Sequence, residues 1–320
     1  MRTLITGGAG FIGSHLARLL LSRGDELILL DDLSTGRKEN IAPLLGPRCS
    51  FRHQRVGDAF ADPDALAGFD RVYHLAAAVG VQLIVKDPVH TIETNVMDTA
   101  LVLRAATKQN IPVLVTSSSE VYGKSEKVPF HEDDDVVYGS TIFSRWSYAV
   151  SKAVDEFLAL AHHRADKLPT VVVRLFNTVG PRQVGRYGMV VPRFVERGVA
   201  GQPIEVYGDG KQSRCFCHVS DVVGAMPKLL DDPRCHGRVF NLGSDQEVTI
   251  NQLADRVIQL TGSTGGKKYL PYDEAYGEKF DDLRRRVPDL SRIHEAIGYK
   301  PTRTLDEILN ELITLERARR

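Results

Sequence analysis

Cysteine and tryptophan are scarce in this chain. Its 320 residues include four cysteines and one tryptophan. The cysteines show no disulfide framework, and the single residue between Cys215 and Cys217 is not the spacing of a zinc-ligand pair. We therefore expect reduced thiols, no metal site and a cytoplasmic location.

An excess of charge and long apolar runs are also missing. Lys plus Arg and Asp plus Glu number 41 each, so the overall charge does not favour a nucleic acid or a membrane surface as partner. No apolar run reaches the ~18 residues of a membrane span. The first residues enter a predicted strand at once, which leaves no room for a signal peptide. The length exceeds one typical core, so we expect two lobes or one enlarged α/β domain.

A glycine-rich stretch near the amino terminus is the most informative pattern. Gly7, Gly10 and Gly13 follow a short apolar strand and precede a run with apolar residues at helical spacing. This strand–turn–helix order is what a dinucleotide pyrophosphate requires at a helix N-terminus. A second predicted strand ends about 20 residues on at Asp31, where a carboxylate would bind the adenosine ribose. The alternative is an ordinary βα turn with a solvated aspartate. Both parts together favour a cofactor site, and the pair Asp31 and Asp32 favours NAD over NADP.

Two further segments carry groups suited to moving a proton and a hydride. A predicted strand at 113–116 runs into Ser118, and hydroxyls at such a strand end lie where ligands bind. Tyr148 and Lys152 are four residues apart on a predicted helix, hence on one face. Tyrosine is a poor base because its ordinary pKa is ~10. We expect the Lys152 ammonium and a cationic nicotinamide ring to lower the pKa of Tyr148, which would then accept the proton of a sugar hydroxyl held by Ser118.

Several polar residues allow a structural interpretation beside a functional one. Asp58 follows another short strand and is either a ligand of the adenine amine or a solvated loop acid. Asn95 lies on a helix predicted over about 88–108 and is either exposed or an inward hydrogen-bonding residue. His74 precedes three alanines, and we interpret it as a core histidine with satisfied hydrogen bonds.

Taken together, the chain resembles the extended short-chain dehydrogenase/reductase superfamily, in its NAD-dependent nucleotide-sugar epimerase, dehydratase and decarboxylase branch. The resemblance covers essentially the whole chain. It implies an α/β fold, a Rossmann doubly wound parallel sheet with a smaller C-terminal substrate-binding lobe. The matching motifs are the segments 6–13, 74–77, 95–96, 117–123, 148–152, 174–177 and 208–210, together with Arg214.

The resemblance also implies a role for each matching residue. Ser118, Tyr148 and Lys152 would be catalytic, and Glu120 is a further catalytic candidate. The residues implied in NAD binding are Gly7, Gly10, Phe11, Ile12, Gly13, Asp31, Asp58, Leu75, Ala76, Ala77, Asn95, Tyr148 and Lys152. Those implied in holding the nucleoside diphosphate of a UDP-sugar are Asn177, Arg214 and Arg286, and Ser118 would contact the sugar.

The leading hypothesis for the activity is C4 epimerisation of UDP-glucose or UDP-glucuronate by an NAD-dependent isomerase, through a 4-keto intermediate. The runner-up is decarboxylation of UDP-glucuronate to a UDP-pentose, because the Ser119–Gly123 motif and Arg145 are similar to those of such decarboxylases. Both activities share the oxidation of C4. Arg182, Arg186 and Arg193 are expected near the sugar, and Arg193 is our candidate partner for a C6 carboxylate.

Two other hypotheses fit the sequence less well. A catalytically silent NAD-binding regulator would not need Ser118, Tyr148 and Lys152 together. A dehydrogenase of apolar alcohols would not need the arginines of the second half of the chain. Both are therefore ranked below a sugar-nucleotide enzyme.

The predicted organisation has two parts. Residues 1–178, with a return segment near 217–242, would form the NAD-binding domain, and residues 179–320 would mainly form the sugar-nucleotide lobe. The apolar stripes of two helices, near 90–108 and 147–164, exceed what packing on one sheet face needs. The family resemblance suggests that they form a four-helix bundle in a homodimer.

Overall fold

The fold is described from a computed structural model. It covers residues 1–80, 87–185, 189–271 and 283–320, apart from the side chain of Arg145. Two residues singled out in the sequence are affected. Arg186 lies outside the described residues, and so does the Arg145 side chain.

Short apolar runs that alternate with helical patterns form the strands, as expected for a doubly wound sheet. In chain order the strands are Arg2–Thr6 (β1), Glu26–Asp31 (β2), Cys49–His53 (β3), Arg71–His74 (β4), Val113–Ser118 (β5), Thr170–Leu175 (β6), Thr178–Val179 (β7), Ile204–Tyr207 (β8), Ser213–Cys215 (β9), Cys217–His218 (β10), Arg238–Leu242 (β11), Glu247–Thr249 (β12) and Lys267–Leu270 (β13).

The central sheet has seven strands in the order β11-β6-β5-β4-β1-β2-β3. Every neighbouring pair in it is parallel. Thr6 lies opposite both Leu30 and His74 in the register, and Ser118 lies opposite Leu175. The carboxyl ends of the strands therefore meet at one edge, where ligands bind in such sheets. The predicted fold class is confirmed.

Ten helices of the described chain cover the sheet and build the second half. They are Phe11–Ser22 (α1), Lys38–Ile41 (α2), Val56–Ala59 (α3), Pro88–Gln109 (α4), Arg145–Asp166 (α5), Val190–Val199 (α6), Val219–Leu230 (α7), Ile250–Thr261 (α8), Ser291–Ile297 (α9) and Leu305–Arg319 (α10). Short 3-10 turns lie at Ala42–Leu44, Ser119–Tyr122 and Pro233–Cys235. No helix among those described is long and apolar enough to cross a membrane.

Local sequence signals account for the ends of the two helices that flank the site. The Asp87 side chain accepts the N–H of His90 at the start of α4, and Pro88 occupies the first helical position. Asn110 ends α4 in the left-handed conformation with φ +51°. The next long helix, α5, ends in the same way at Lys167 with φ +60°. Both helices were predicted within about two residues of their observed ends.

Apolar side chains bury both faces of the sheet. Leu16 of α1 and Met226 of α7 belong to the cluster on one face, and Val102 of α4 and Ala159 of α5 belong to the cluster on the other. A third cluster lies in the second half of the chain, where Phe194 packs in the same apolar core as α8 and α10 residues. The four cysteines are free and buried.

Candidate active site

The turn between β1 and α1 borders a long cavity. Gly7 has a φ of +68°, in the region that favours glycine, and an added Cβ there would lie 2.8 Å from the Ala76 backbone nitrogen. An added Cβ at Gly13 would lie 2.2 Å from the Gly7 carbonyl oxygen. Gly10 precedes Phe11, the first residue of α1. Close backbone approach therefore requires glycine here, and the N-terminus of α1 is open toward an anion.

Asp31 lies at the carboxyl end of β2 and lines the cavity. Its carboxylate accepts the N–H of Ala9 at 3.0 Å and that of Leu33 at 2.8 Å. Burial raises the pKa of this carboxyl, and the two hydrogen bonds oppose the effect because they stabilise the charged form. Asp31 therefore anchors the glycine turn in addition to facing the cavity.

Asp58 lies beside the cavity and is not part of its wall. It is an exposed residue of α3. Burial, together with the charges of Asp32 and Asp58, raises the pKa of Asp98, a cavity residue, to about 6. This placement does not favour the expected contact of Asp58 with an adenine amine. The described residues that line the cavity at this point are Gln54, Arg55 and Val56.

Asn95 is a buried hydrogen-bonding residue and not an exposed one. Its side-chain oxygen accepts the N–H of Ala78 at 2.8 Å, and its amide nitrogen donates to Ser151 Oγ at 3.1 Å. It is 1% exposed, and Ala78 separates it from the cavity. The inward hydrogen-bonding alternative therefore holds, while a direct cofactor contact stays a prediction. Asn95 links Ala78, which lines the cavity, to Ser151 on the helix that carries Tyr148.

The cavity is continuous and has a volume of about 640 Å³. Leu75, Ala76 and Ala77 line its middle with small or apolar side chains, as the sequence predicts. At one end lie the glycine turn and Asp31, and at the other end lie guanidinium groups. The wall there includes Asn177, Arg193, Tyr207, Gln212, Arg214 and Arg286. Its length suits a dinucleotide and a second anionic ligand.

Ser118, Tyr148 and Lys152 come together in the wall of this cavity. The Ser118 hydroxyl hydrogen-bonds with the Tyr148 side chain and accepts the N–H of Glu120 at 3.2 Å. Ser118 is the last residue of β5, whereas Tyr148 and Lys152 lie one turn apart on α5. The sheet edge and one helix face thus bring together three residues that the sequence separates.

Lys152 is paired within its own helix. Its Nζ lies 2.7 Å from Asp155 Oδ2, and both side chains are buried. The pKa of Tyr148 is raised, first by burial and then by the charges of Glu120 and Asp155, whereas the Ser118 hydrogen bond lowers it. In the chain without its cofactor the pKa of Tyr148 is thus raised and not lowered, mainly because the side chain is buried, and the expected effect of Lys152 together with a nicotinamide ring stays a prediction.

Glu120 and Arg286 form an ion pair beside the hydroxyls of Ser118 and Tyr148. Glu120 follows Ser118 by two residues, and Arg286 arrives from the last part of the chain. The backbone N–H of Phe130 donates to the Val287 carbonyl at 2.8 Å and so fixes the segment that carries Arg286. The guanidinium is buried and lines the cavity. It is therefore a cation of the site and not a surface group.

Asn177 and Arg214 line the cavity on the side of the C-terminal lobe. The Asn177 amide donates to the Cys215 carbonyl at 3.2 Å. Arg214 is buried and donates to the Leu283 carbonyl at 2.8 Å. Backbone carbonyls thus fix the direction of both side chains at the cavity wall.

The arginines expected near the sugar do not all line the cavity. Arg193 lines the cavity, lies 4.2 Å from the centre of the Tyr207 ring and donates to its hydroxyl at 2.5 Å. Arg182 points elsewhere, with its Nε 3.3 Å from His15 Nε2. Arg186 lies outside the described residues. The expectation for Arg182 is therefore wrong, because its side chain binds α1.

The sequence patterns did not identify three residues of the site and its surroundings, namely Asp155, Tyr207 and Asp98. Asp155 had a local signal, since residues three apart share a helix face and an acid there meets Lys152. Tyr207 and Asp98 had none, because their neighbours come from distant segments. Among the described residues, no group of three His, Cys, Asp or Glu side chains could hold a metal ion.

Comparison with known proteins assigns the family. The family model described as GDP-mannose 4,6 dehydratase matches residues 4–312. The chain belongs to this family. The GDP-mannose 4,6-dehydratase family contains extended short-chain dehydrogenases/reductases that act on nucleotide sugars, which confirms the resemblance found in the sequence motifs.

Two similar members of the family are decarboxylases. The chain is 38% identical to the UDP-N-acetyl-alpha-D-glucosaminuronate decarboxylase of Bacillus cytotoxicus, over 98% of this chain and 96% of the relative. It is 36% identical to UDP-glucuronic acid decarboxylase 1 of Arabidopsis thaliana, over 98% of this chain and 69% of the relative. The expected classification as an isomerase is therefore wrong, since these sequence relatives are lyases.

Solved structures of the family share the fold. The UDP-glucose 4-epimerase of Thermotoga maritima, solved with UDP-glucose, has a TM-score of 0.89 and 29% identity, and the match covers 100% of this chain and 99% of the other. The UDP-glucuronic acid 4-epimerase of Bacillus cereus, solved with UDP-glucuronic acid and NAD, has a TM-score of 0.88 and 27% identity over 100% of both chains. NAD is the cofactor of this family.

Proposed function

We propose that this protein is an NAD-dependent decarboxylase of a UDP-hexuronate, with a UDP-pentose and CO₂ as products. The observation that carries the proposal is the Glu120–Arg286 ion pair beside Ser118. It puts a buried cation next to the hydroxyl groups expected to work on the sugar, where a carboxylate substrate needs one. The two decarboxylase relatives support this reaction over the C4 epimerisation favoured by the sequence alone.

The cavity residues suit NAD as the resident cofactor. Glycine at positions 7 and 13 leaves backbone room where any side chain would collide, so N–H groups could approach a pyrophosphate. The Asp31 carboxylate would bind the adenosine ribose, and Lys152 would bind the nicotinamide ribose. NAD held by these residues would supply a reversible hydride acceptor for the sugar.

Oxidation at C4 is the first step. Tyr148 would accept the proton of the C4 hydroxyl as the hydride leaves the same carbon, which turns the alcohol into a ketone. Ser118, already bonded with Tyr148, would hold that hydroxyl in line. Burial raises the pKa of Tyr148. The Lys152 ammonium and the nicotinamide ring must therefore act together to favour its phenolate form.

Loss of CO₂ follows from the position of the new ketone, which is β to the C6 carboxylate. Breaking the C5–C6 bond leaves its electron pair as an enolate over C5 and the C4 oxygen. The Arg286 guanidinium would first pair with the carboxylate and then stabilise that charge. A proton adds to C5, the hydride returns to C4, and Tyr148 gives its proton back. The sugar gains one proton and loses CO₂, with no net redox change.

Arg286 suits this step better than Arg193, the candidate taken from the sequence. The Arg193 guanidinium contacts Tyr207 in the C-terminal lobe. Arg286 instead pairs with Glu120, close to the catalytic hydroxyls. We therefore assign Arg193, with Asn177 and Arg214, to the nucleoside diphosphate.

The test is a direct assay on two candidate substrates. The purified protein is incubated with UDP-glucuronate or with UDP-N-acetylglucosaminuronate, and products are identified by NMR while CO₂ release is measured. A UDP-xylose-type pentose or its 4-keto form from either substrate supports the proposal, and the faster substrate defines the accepted C2 group. Unchanged hexuronates, or recovery of a C4 epimer alone, contradict it. Tyr148→Phe serves as the inactive control.

A homodimer is the second part of the proposal. The adjacent helices α4 and α5 carry large apolar side chains that water reaches, although both helices also pack on the sheet. Val89 is 64% exposed, Met97 63% and Phe157 67%. A twofold axis beside these helices would bury them in a four-helix bundle.

The organisation expected from the sequence completes the proposal. Residues 1–178 with the return segment 217–242 form the cofactor domain, and 179–320 mainly form the sugar-nucleotide lobe. The return of β11 to the sheet and the separate apolar core of the second half support this division. Four free, buried thiols are consistent with a cytoplasmic location.

A further inference from the structure

Asp155 is a buried acid that does not touch the cavity but binds a residue that does. Its Oδ2 lies 2.7 Å from Lys152 Nζ, and the two side chains are 0% and 3% exposed. The residues are three apart on α5, so one helix face holds both. A buried carboxylate is costly unless it is paired, and an ammonium equally so. Each residue therefore requires the other.

A series of hydrogen bonds runs from Thr99, next to Asp155, to the start of the glycine turn. Burial raises the pKa of the Asp155 carboxyl, and the Lys152 ammonium and the nearby Thr99 side chain of α4 oppose that effect. Thr99 Oγ1 lies 3.1 Å from His74 Nε2, and His74 Nδ1 lies 2.8 Å from Thr6 Oγ1. Thr6 Oγ1 in turn accepts the N–H of Ala76 at 3.2 Å.

The donors in this series of hydrogen bonds can all point in the same direction. Thr6 accepts from the Ala76 N–H and donates to His74 Nδ1, so the neutral ring carries its proton on Nε2 and donates to Thr99. Burial and the Lys152 charge lower the pKa of His74 to about 3, which keeps its ring neutral. The hydrogen bonds therefore run from Thr6 to Thr99, next to the carboxylate that pairs with Lys152.

Two other carboxylates close to the site, among the described residues, have arginine partners of their own and are not paired with Lys152. Glu120 pairs with Arg286, and Glu156 pairs with Arg174 at 2.7 Å. The titratable or charged groups that face Tyr148, Lys152 and Asp155 from the packed elements are Glu120, Arg286, His74, Glu156 and Arg174.

We propose that Asp155 is a positioning residue, which holds the Lys152 ammonium toward the cavity and supplies its counter-charge. The inference rests on the hydride transfer proposed above, in which Lys152 binds the nicotinamide ribose and supports Tyr148. Removing the Asp155 charge while keeping its shape should favour the phenolate of Tyr148. Tyr148 then titrates at lower pH, because loss of a nearby negative charge lowers the pKa of a phenol.

The experiment is a spectroscopic titration of tyrosinate in the NAD-loaded protein, without substrate. The signal of Tyr148 is obtained by subtracting the curve of Tyr148→Phe. In Asp155→Asn we expect the Tyr148 midpoint to fall by about one pH unit, the effect of one charge at short range. Asp155→Glu restores the charge and should bring the midpoint back toward wild type. The control is Asp166→Asn, which removes an exposed carboxylate at the end of the same helix and should change nothing.

An unchanged midpoint in folded, NAD-loaded Asp155→Asn would overturn the inference, and so would a Glu variant that behaves like the Asn variant. If Asp155→Asn does not fold, the pair is tested by a stability cycle with Lys152→Met. The double variant should then unfold at higher denaturant concentration than Lys152→Met alone, because no unpaired carboxylate remains. A double variant no more stable than Lys152→Met contradicts the pairing. Neither measurement needs a substrate. A failed decarboxylation assay would therefore contradict the proposed function without affecting this result.

Discussion

Arg286 reaches the Glu120 carboxylate from the far end of the chain and forms an ion pair with it inside the cavity. The contact links the segment after β5 to the segment before α9. The first segment provides the carboxylate and the second provides the cation. The proposed loss of CO₂ depends on this relationship, and it can be tested with a neighbouring arginine as control.

Replacing Arg286 with Lys should reduce decarboxylation by about 10- to 100-fold, the effect of losing a hydrogen bond to a charged group. Lysine keeps the charge but not the planar pair of donors. The measurement is the rate of CO₂ release from the preferred UDP-hexuronate, with bound NAD quantified in parallel. The matched control is Arg285→Lys, because Arg285 is exposed and pairs with Glu247 at 2.7 Å. Equal losses in both variants would contradict the role of Arg286.

Tyr148→Phe should keep the fold and bound NAD but reduce turnover by ~10²–10⁴-fold, the usual contribution of general acid–base catalysis. The ring still packs between the same neighbours, while the proton acceptor is gone. Steady-state rates and the NAD content of the purified variant provide the measurement. A variant with wild-type rate would move the role of base to another group, with Glu120 the first to examine.

Phe157→Asp should dissociate the proposed dimer, weakening it by at least about 100-fold, because an unpaired carboxylate buried at a twofold axis costs several kcal/mol. Light scattering over a dilution series measures the molecular mass. Tyr269→Asp is the control, since Tyr269 is 51% exposed on β13, away from α4 and α5. A wild-type monomer at working concentration, or a Phe157→Asp dimer, would contradict the bundle.

The free energy of unfolding should fall between pH 7 and pH 5, in part through His74. Its pKa is lowered from 6.5 to about 3 by burial first and by Lys152 second. The folded pKa is below the unfolded one, so this contribution is complete above pH 6.5 and is lost as the pH falls from 6.5 toward 3. By pH 5 the loss is about 2 kcal/mol. Urea unfolding at pH 7 and at pH 5 gives the change in the free energy of unfolding with pH.

His74→Gln should reduce that pH-dependent loss by about 2 kcal/mol, since glutamine does not titrate. His294→Gln, which changes an exposed histidine of α9, should leave the slope as in wild type. The same slope in wild type and in His74→Gln would show that His74 is not the group responsible.

The sequence predicted those parts of the site that follow local rules. Glycine spacing after a strand located the turn, and a four-residue helical spacing located Tyr148 and Lys152. The direction of a long side chain does not follow such rules. Arg182 binds His15 and Arg286 binds Glu120 because the tertiary fold brings those partners within reach. Nothing within either residue's own segment indicates its partner.

The activity was harder to predict than the fold. Epimerisation and decarboxylation share Ser118, Tyr148 and the C4 ketone, so motifs that serve the common first step cannot separate them. In the proposed function, the difference lies in the residue that faces the substrate carboxylate, for which we propose Arg286. Asn95 is a similar case, because its motif position resembles a cofactor contact whereas its amide hydrogen-bonds with Ala78 and Ser151 in the structure.

The position of β11 at the edge of the sheet has a consequence for the order in which the protein is made. Until residue 242 has left the ribosome, the apolar strand β6 has no partner on its outer side. An unpaired apolar edge invites pairing with other chains. A nascent or truncated product that ends near residue 178 should therefore need a chaperone to stay dispersed, whereas one that extends past Leu242 should not.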